Sequence, residues 1–180
     1  SLPSGRTYRR VTLAGYAPTM SFELHSQLIS VAAFAPFGDL ISTEGAPDTL
    51  INQGLCGRFH DRARLDFGDG RAGVSLFDAE PRSLPYQIEM IERHPQGSQC
   101  FIPMSEHGFL IVVAADNAGV PGVPCAFRTL PGQAVNFHRG TWHGVLTPLQ
   151  APGLFAVVDR IGSGENLEEY HFPTPYSILS

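Results

Sequence analysis

The sequence predicts a mainly β protein, folded as a closed or nearly closed antiparallel barrel with few short helices; a sandwich of two sheets is the runner-up. Apolar runs of about four to eight residues, the usual length of a strand, recur along most of the chain. Nineteen glycines and fifteen prolines are spread between those runs, where the turns of a β-rich fold would fall. Only one stretch shows helical spacing.

That stretch comes first. From His25 to Phe34 the apolar residues Leu28, Ile29, Ala32 and Ala33 recur at helix-like intervals, and Pro36-Phe37-Gly38 ends the pattern. Gly57 to Leu65 then reads as a strand, Gly68-Asp69-Gly70 as a turn, and Ala72 to Phe77 as its hairpin partner. Tyr86 to His94 alternates. Ile88, Met90, Glu92 and His94 fall on one face, and Gln87, Glu89, Ile91 and Arg93 on the other. Gln99 to Met104 and Gly108 to Ala115 are short and β-prone. Cys125 to Leu130, Gln133 to His138, Trp142 to Leu146 and Leu154 to Asp159 complete the series, punctuated by Pro121-Gly122 and Pro131-Gly132.

The length of 180 residues fits one domain. Residues 21–180 are read as that domain. Residues 1–20, which carry Arg6, Arg9 and Arg10 and no hydrophobic signal core, are read as an N-terminal extension. No apolar run approaches the roughly 18 residues of a membrane span. The net charge of −5 argues against nucleic acid, which needs a concentrated basic face. All twelve basic residues are arginine. Without lysine, Schiff-base chemistry and a phosphate-loop lysine are excluded. Three cysteines, Cys56, Cys100 and Cys125, cannot all pair within the chain, and they point to buried thiols in a reducing, cytoplasmic setting.

Three polar constellations stand out. Glu92 and His94 are two apart and share a strand face, and Gln99 returns beside them after Pro95 and Gly97. A carboxylate, an imidazole and an amide converging there suit a divalent metal or a polar substrate; a surface carboxylate with a capping histidine is the competing reading. Asn136, His138, Arg139, Trp142 and His143 lie within eight positions. Histidine can move a proton near neutral pH, and arginine can hold a carboxylate at two points. Arg58, His60 and Asp61, with Asn52 and Gln53 upstream, form the third group, and Asp159-Arg160 ends an apolar strand. For these the choice is between substrate contacts and structural ion pairs. The chain lacks a GxSxG elbow and a complete dinucleotide-binding glycine fingerprint.

Taken together, Phe34-Ala-Pro-Phe-Gly-Asp-Leu-Ile, Ile51-Asn-Gln-Gly, Glu92-Arg-His-Pro-Gln-Gly-Ser-Gln-Cys-Phe-Ile-Pro, Asn136-Phe-His-Arg-Gly-Thr-Trp-His and Asp159-Arg160 resemble, in order and spacing, the motifs of the ureidoglycolate lyases, formerly ureidoglycolate hydrolases. The likeness covers roughly Phe22 to Phe172. It implies a cupin-like barrel of the jelly-roll type, a homodimer, and a role in allantoin-derived purine nitrogen use. It also invites comparison with metal-binding cupins, whose two motifs map onto Glu92, His94 and Gln99, and onto His143. A divalent metal of the nickel or zinc type is implied on that basis. Glu92 replaces a histidine of the metal-binding pattern and Gln99 a carboxylate, and a neutral amide is a poorer ligand.

The activity so implied is cleavage of ureidoglycolate, a carbinol adduct, to glyoxylate and urea. One proton leaves the hydroxyl and one reaches the departing nitrogen. His94, His143, Glu92 and His138 are the candidates for proton transfer. Arg139, Arg160 and Arg58, with Asn52, His60 and Asp159, are the candidates for holding the small anionic substrate. The competing functions are a hydrolase that releases ammonia and carbon dioxide, a metal-dependent isomerase or dioxygenase, and a non-catalytic cupin that binds a small acid.

Overall fold

The structure, a computed structural model, describes residues 20–180, so the expectation for the N-terminal extension lies outside the described residues but for Met20. Its elements in chain order are β1 (Phe22–Leu28), α1 (Val31–Phe34), β2 (Gly38–Ile41), β3 (Thr49–Ile51), β4 (Cys56–Arg58), β5 (Arg71–Asp78), β6 (Tyr86–Arg93), β7 (Gln99–Pro103) and β8 (Phe109–Ala114). They continue with β9 (Asp116–Asn117), β10 (Val120–Pro121), β11 (Cys125–Arg128), β12 (Ala134–Phe137), β13 (Trp142–His143), β14 (Thr147–Pro148), β15 (Leu154–Ile161) and β16 (Glu168–Leu179).

Two sheets make the body. In the first, strands run β11-β1-β16-β6-β13-β8, and β8 pairs back onto β11, so six strands close into a barrel; β14 adds to the far edge of β8. The second is five-stranded, ordered β2-β12-β7-β15-β5. This is the cupin-like β-barrel the sequence predicts, with almost no helix.

Strand β8 explains why the two sheets hold together. Its sequence FLIVVA is apolar throughout and buried on both faces, so it serves two cores at once. Phe109, Ile111 and Val113 join Phe34, Phe101, Phe127, Val135, Phe137 and Val157 in the core between barrel and sheet. Leu110, Val112 and Ala114 join Ile88, Ile91, Ala126, Trp142 and Ile178 in the other. Fully burying one large aliphatic or aromatic side chain stabilises by about 1.5–3 kcal/mol, so a wall strand with no exposed side chain is worth more per residue than an edge strand.

Several sequence expectations are corrected. Helical spacing from His25 to Phe34 folds as β1 followed by a single turn, α1, whose N-cap Ser30 accepts a hydrogen bond from Ala33 N at 3.2 Å. Pairing decides this: β1 lies between β11 and β16, parallel to both, and supplies ladder bonds that a short helix cannot match. It is also the exception to an antiparallel barrel. The strand read over Gly57 to Leu65 is only β4, and Ala72 to Phe77 pairs with β15 instead. The alternation of β6 breaks. Ile88 and Ile91 share one core, because the β6–β16 register shifts between His171 and Tyr176; an irregularity of this kind turns the following residues to the other face. Strand β16 was not anticipated. Cys56 is exposed rather than buried, and all three cysteines are free.

Candidate active site

The two central motifs are stitched together by backbone. Gly140 N donates to His94 O at 2.9 Å, and Arg139 Nε donates to Pro95 O at 2.7 Å. Gly140 sits at φ +77°, a conformation that costs glycine little. The turn it allows brings β13 alongside β6, so that His143 lies directly opposite Glu92. His143 is also opposite Val113 on β8, which points it into the core between barrel and sheet. The register shift in β6 puts Glu92 and His94 on that same side.

Glu92, His94 and His143 therefore converge: one ligand atom from each lies within 4.8 Å of the other two. The His94 and His143 ring centroids are 5.2 Å apart. Phe137 stacks on the His143 ring at 4.4 Å, with 1° between the planes, and Phe101 approaches it edge-on at 6.5 Å. Gln99 and Asp159 complete the polar floor from β7 and β15, where they are direct cross-strand partners. His94 Nε2 faces Gln99 Oε1 at 3.0 Å, and Gln99 Nε2 donates to Asp159 Oδ2 at 3.2 Å.

His143 is 2% exposed. Its Nδ1 lies 2.9 Å from Gly144 O, a carbonyl that can only accept, so Nδ1 carries the proton and Nε2 presents a lone pair. That Nε2 is buried and has no hydrogen-bond partner among the described residues. Burial, reinforced by the neighbouring His94, pushes the His143 pKa down to about 3, so the ring is neutral at physiological pH. Burial holds the Glu92 carboxyl above its usual range; the His94 ring opposes this and Glu169 adds to it. His94 Nδ1 is fixed at 2.8 Å from Asn166 O. With its Nε2 released from Gln99, His94 would join the orphaned His143 nitrogen and Glu92 in an N,N,O donor set of the kind that holds zinc or nickel. Gln99 is adjacent as a weak fourth donor.

Other sequence candidates fall elsewhere. His138 Nε2 lies 3.0 Å from Asp39 Oδ1. Asp39 Oδ2 also accepts from Arg64 N at 2.8 Å and from Asn136 Nδ2 at 3.1 Å. Those bonds, outweighing burial, hold the Asp39 carboxyl below its usual range. Arg139 is half-exposed beside Arg64, Asp66 and His138, with Asp66 at 3.8 Å. Arg160 follows Asp159 in the strand and so points to the opposite face. There it is 7% exposed and bonds Asp69 Oδ1 at 2.6 Å and Ser163 O at 3.2 Å. Arg58, Asn52 and His60 lie on or beside the exposed β3–β4 hairpin, and the His60 backbone N donates to Asp48.

Sequence reasoning missed Asn166, which anchors His94 and whose Oδ1 also accepts from Gln96 N at 2.8 Å. It missed Glu169, the cross-strand partner of Glu92, and the aromatic wall of Phe101 and Phe137. The run Gly162-Ser-Gly-Glu-Asn166 gave the one available signal, a turn that has to bind back somewhere.

Comparison with known proteins gives this arrangement its context. The ureidoglycolate lyase family model matches residues 21–179. A curated ureidoglycolate lyase of Rhodobacter capsulatus is 60% identical over 148 residues, covering 82% of this chain and 92% of its own length. Ureidoglycolate lyase 2 of Rhizobium meliloti is 49% identical over 152 residues, 83% of this chain and 93% of its own. A ureidoglycolate lyase of a Chelativorans species is 51% identical over 148 residues, 81% of this chain and 90% of its own. With a family model spanning nearly every described residue, and relatives at 49–60% identity over most of both lengths, the chain belongs to the ureidoglycolate lyase family.

Proposed function

We propose that this chain cleaves ureidoglycolate to glyoxylate and urea, as a carbon–nitrogen lyase of the amidine-lyase type acting in allantoin-derived purine nitrogen use. The observation that carries the reading, beside family membership, is the buried, unpartnered Nε2 of His143 in one cluster with Glu92 and His94, beside the rings of Phe101 and Phe137.

The reaction breaks one C–N bond. The carbinol O–H gives up its proton, the C–O bond becomes the glyoxylate carbonyl, and the departing urea nitrogen gains a proton. Glu92, held above the usual carboxylate range, is suited to both tasks in turn, taking the hydroxyl proton and returning one to nitrogen. His143 is neutral and fixed by Gly144, so it accepts a hydrogen bond or a ligand bond and does not itself carry charge. His94 is oriented by Asn166 and Gln99, and Asp159 orients Gln99 in turn. Arg139, half-exposed and tied to Pro95 O next to His94, is the cation assigned to the substrate carboxylate. A divalent metal held by Glu92, His94 and His143 would supply Lewis-acid polarisation of the substrate oxygens.

The reading includes a homodimer and a cytoplasmic setting, which three free thiols suit, and no nucleic-acid or membrane partner. Among the described residues no helix is long and apolar enough to cross a membrane. The test is product analysis with racemic ureidoglycolate. Urea in stoichiometric yield with glyoxylate is expected, and ammonia in its place would mean hydrolase chemistry. Metal content of the purified protein, measured by elemental analysis, checks the donor set separately.

A further inference from the structure

The outer face of the five-stranded sheet is finished on one side and bare on the other. Over β2 and β12 it is roofed by the segment ahead of β5: Arg64 N and O bond to Asp39 and Asn136, and Asp66 and Ser98 exchange bonds. Asn136 and Cys100 beneath it are buried. Over the rest of β15 and β5, beyond the covered Arg160, nothing lies above among the described residues. Cross-strand register sets Leu76, Ala156 and Ile102 in one row, and Val74 beside Val158 in the next. Val74 is 73% exposed, Leu76 64%, Ile102 40% and Met104 53%. Strand β5 is also the sheet edge, eight residues long. A long apolar edge is an invitation to association.

The same chain carries an unpartnered arm. Strands β3 and β4 pair with each other and, among the described residues, have no other element as a substantial neighbour. Every residue of both strands is exposed, including Leu50 at 62%, and Leu55 in the connecting turn is 87% exposed. A two-stranded hairpin standing alone is marginally stable in water. We infer that the β3–β4 arm of one copy lies on the bare β5–β15–β7 face of a second copy, and that the two-fold related contact forms at the same time. This rests on the homodimer reading above and adds to it the surface.

A second copy fits better than an unrelated partner for three reasons. An isologous contact covers both unpartnered features of both chains with one operation. Large apolar side chains of the arm and the face, two-fifths to nine-tenths exposed, reach the order of the about 800 Å² per partner that a stable interface takes. Charge also matches. Arg58 on the arm has no acidic partner among the described residues, and Asp78 and Glu80, at the end of β5, have no basic one.

The test uses the full chain in sedimentation equilibrium, with Leu50→Ala plus Leu55→Ala on the arm, Val74→Ala plus Leu76→Ala on the face, and all four together. All four sites are exposed, so the protomer fold is expected to survive, as circular dichroism would check. Each pair should raise the dimer dissociation constant at least tenfold. The combination should raise it by clearly less than the product of the two, because residues in contact are coupled. A native chain that sediments as a monomer overturns both the dimer and this surface. A native dimer that neither pair weakens overturns the surface alone. Multiplicative effects of the two pairs mean that arm and face do not touch, and also overturn it.

Discussion

His138 and His143 are five residues apart and belong to the same short motif, yet they end in opposite environments. Gly140, at φ +77°, turns the chain between them. His138 stays on the outer side, half-exposed beside the Asp39 carboxylate. His143 turns inward, buried, with a phenyl ring stacked on one face and an unpartnered nitrogen. One has the Asp39 carboxylate 3.0 Å from its Nε2, though without an aligned hydrogen bond. The other, among the described residues, has nothing bonded to its buried Nε2 and lies in one cluster with Glu92 and His94. A motif dense in histidine and arginine can thus split into a structural half and a chemical half at a single turn.

That contrast makes its strongest prediction in turnover. His143→Ala should lower kcat/KM for ureidoglycolate by about 1,000-fold, within the range that general acid–base or ligand groups contribute. His138→Gln should lower it by less than about threefold, since that ring does not reach Glu92 or His94. Steady-state kinetics on both variants decides. Comparable losses would erase the distinction and return His138 to the catalytic group.

The same contrast can be read in stability. The pKa of His143 falls to about 3 on folding, from about 6.5 in an unfolded chain. The unfolded state therefore binds more protons throughout that window. Stability is fully present above about pH 6.5 and is lost as pH falls below it, by at most about 1.4 kcal/mol per pH unit from this one group. Urea denaturation of metal-free protein from pH 7.5 to 4.5 measures the slope. His143→Phe should flatten it, whereas His138→Gln should not. An unchanged slope in His143→Phe would show that the buried imidazole is not what titrates.

Much of this was legible in the sequence, for physical reasons that can be located. The strands β6, β7, β8 and β12 were readable because each carries its own apolar signal, and the pairing of Glu92 with His94 followed from a two-residue period. Three things were not. A spacing of apolar residues compatible with a helix became β1, because the parallel ladders on either side exist only once distant strands have folded. The face to which Glu92 points depends on an irregularity opposite Phe172 to Pro175 in β16, a strand that carries two prolines and gives no clean alternation. Arginine composition suggested substrate contacts at Arg160, but the strand period places Arg160 outside once Asp159 is inside. Asn166 contributes a backbone carbonyl, which no side-chain pattern encodes.

The smallest expected effect isolates the structural half. Asp39 receives His138, Arg64 N and Asn136 Nδ2, and so ties β2 and β12 to the segment that roofs the outer face of the sheet. Asp39→Ala leaves Arg64 N without its acceptor and Asn136 Nδ2 with only Arg64 O. Leaving a buried polar group unsatisfied costs about 1–3 kcal/mol, and Asn136 is fully buried. The variant should unfold at lower urea concentration by that amount, while kcat/KM per folded molecule stays within about threefold of native. Asp39→Asn should recover part of the stability, because an amide oxygen still accepts from Arg64 N and Asn136. A variant that unfolds normally but loses turnover would mean that the outer carboxylate, acting through His138, takes part in the chemistry, and that the two histidines belong to one site.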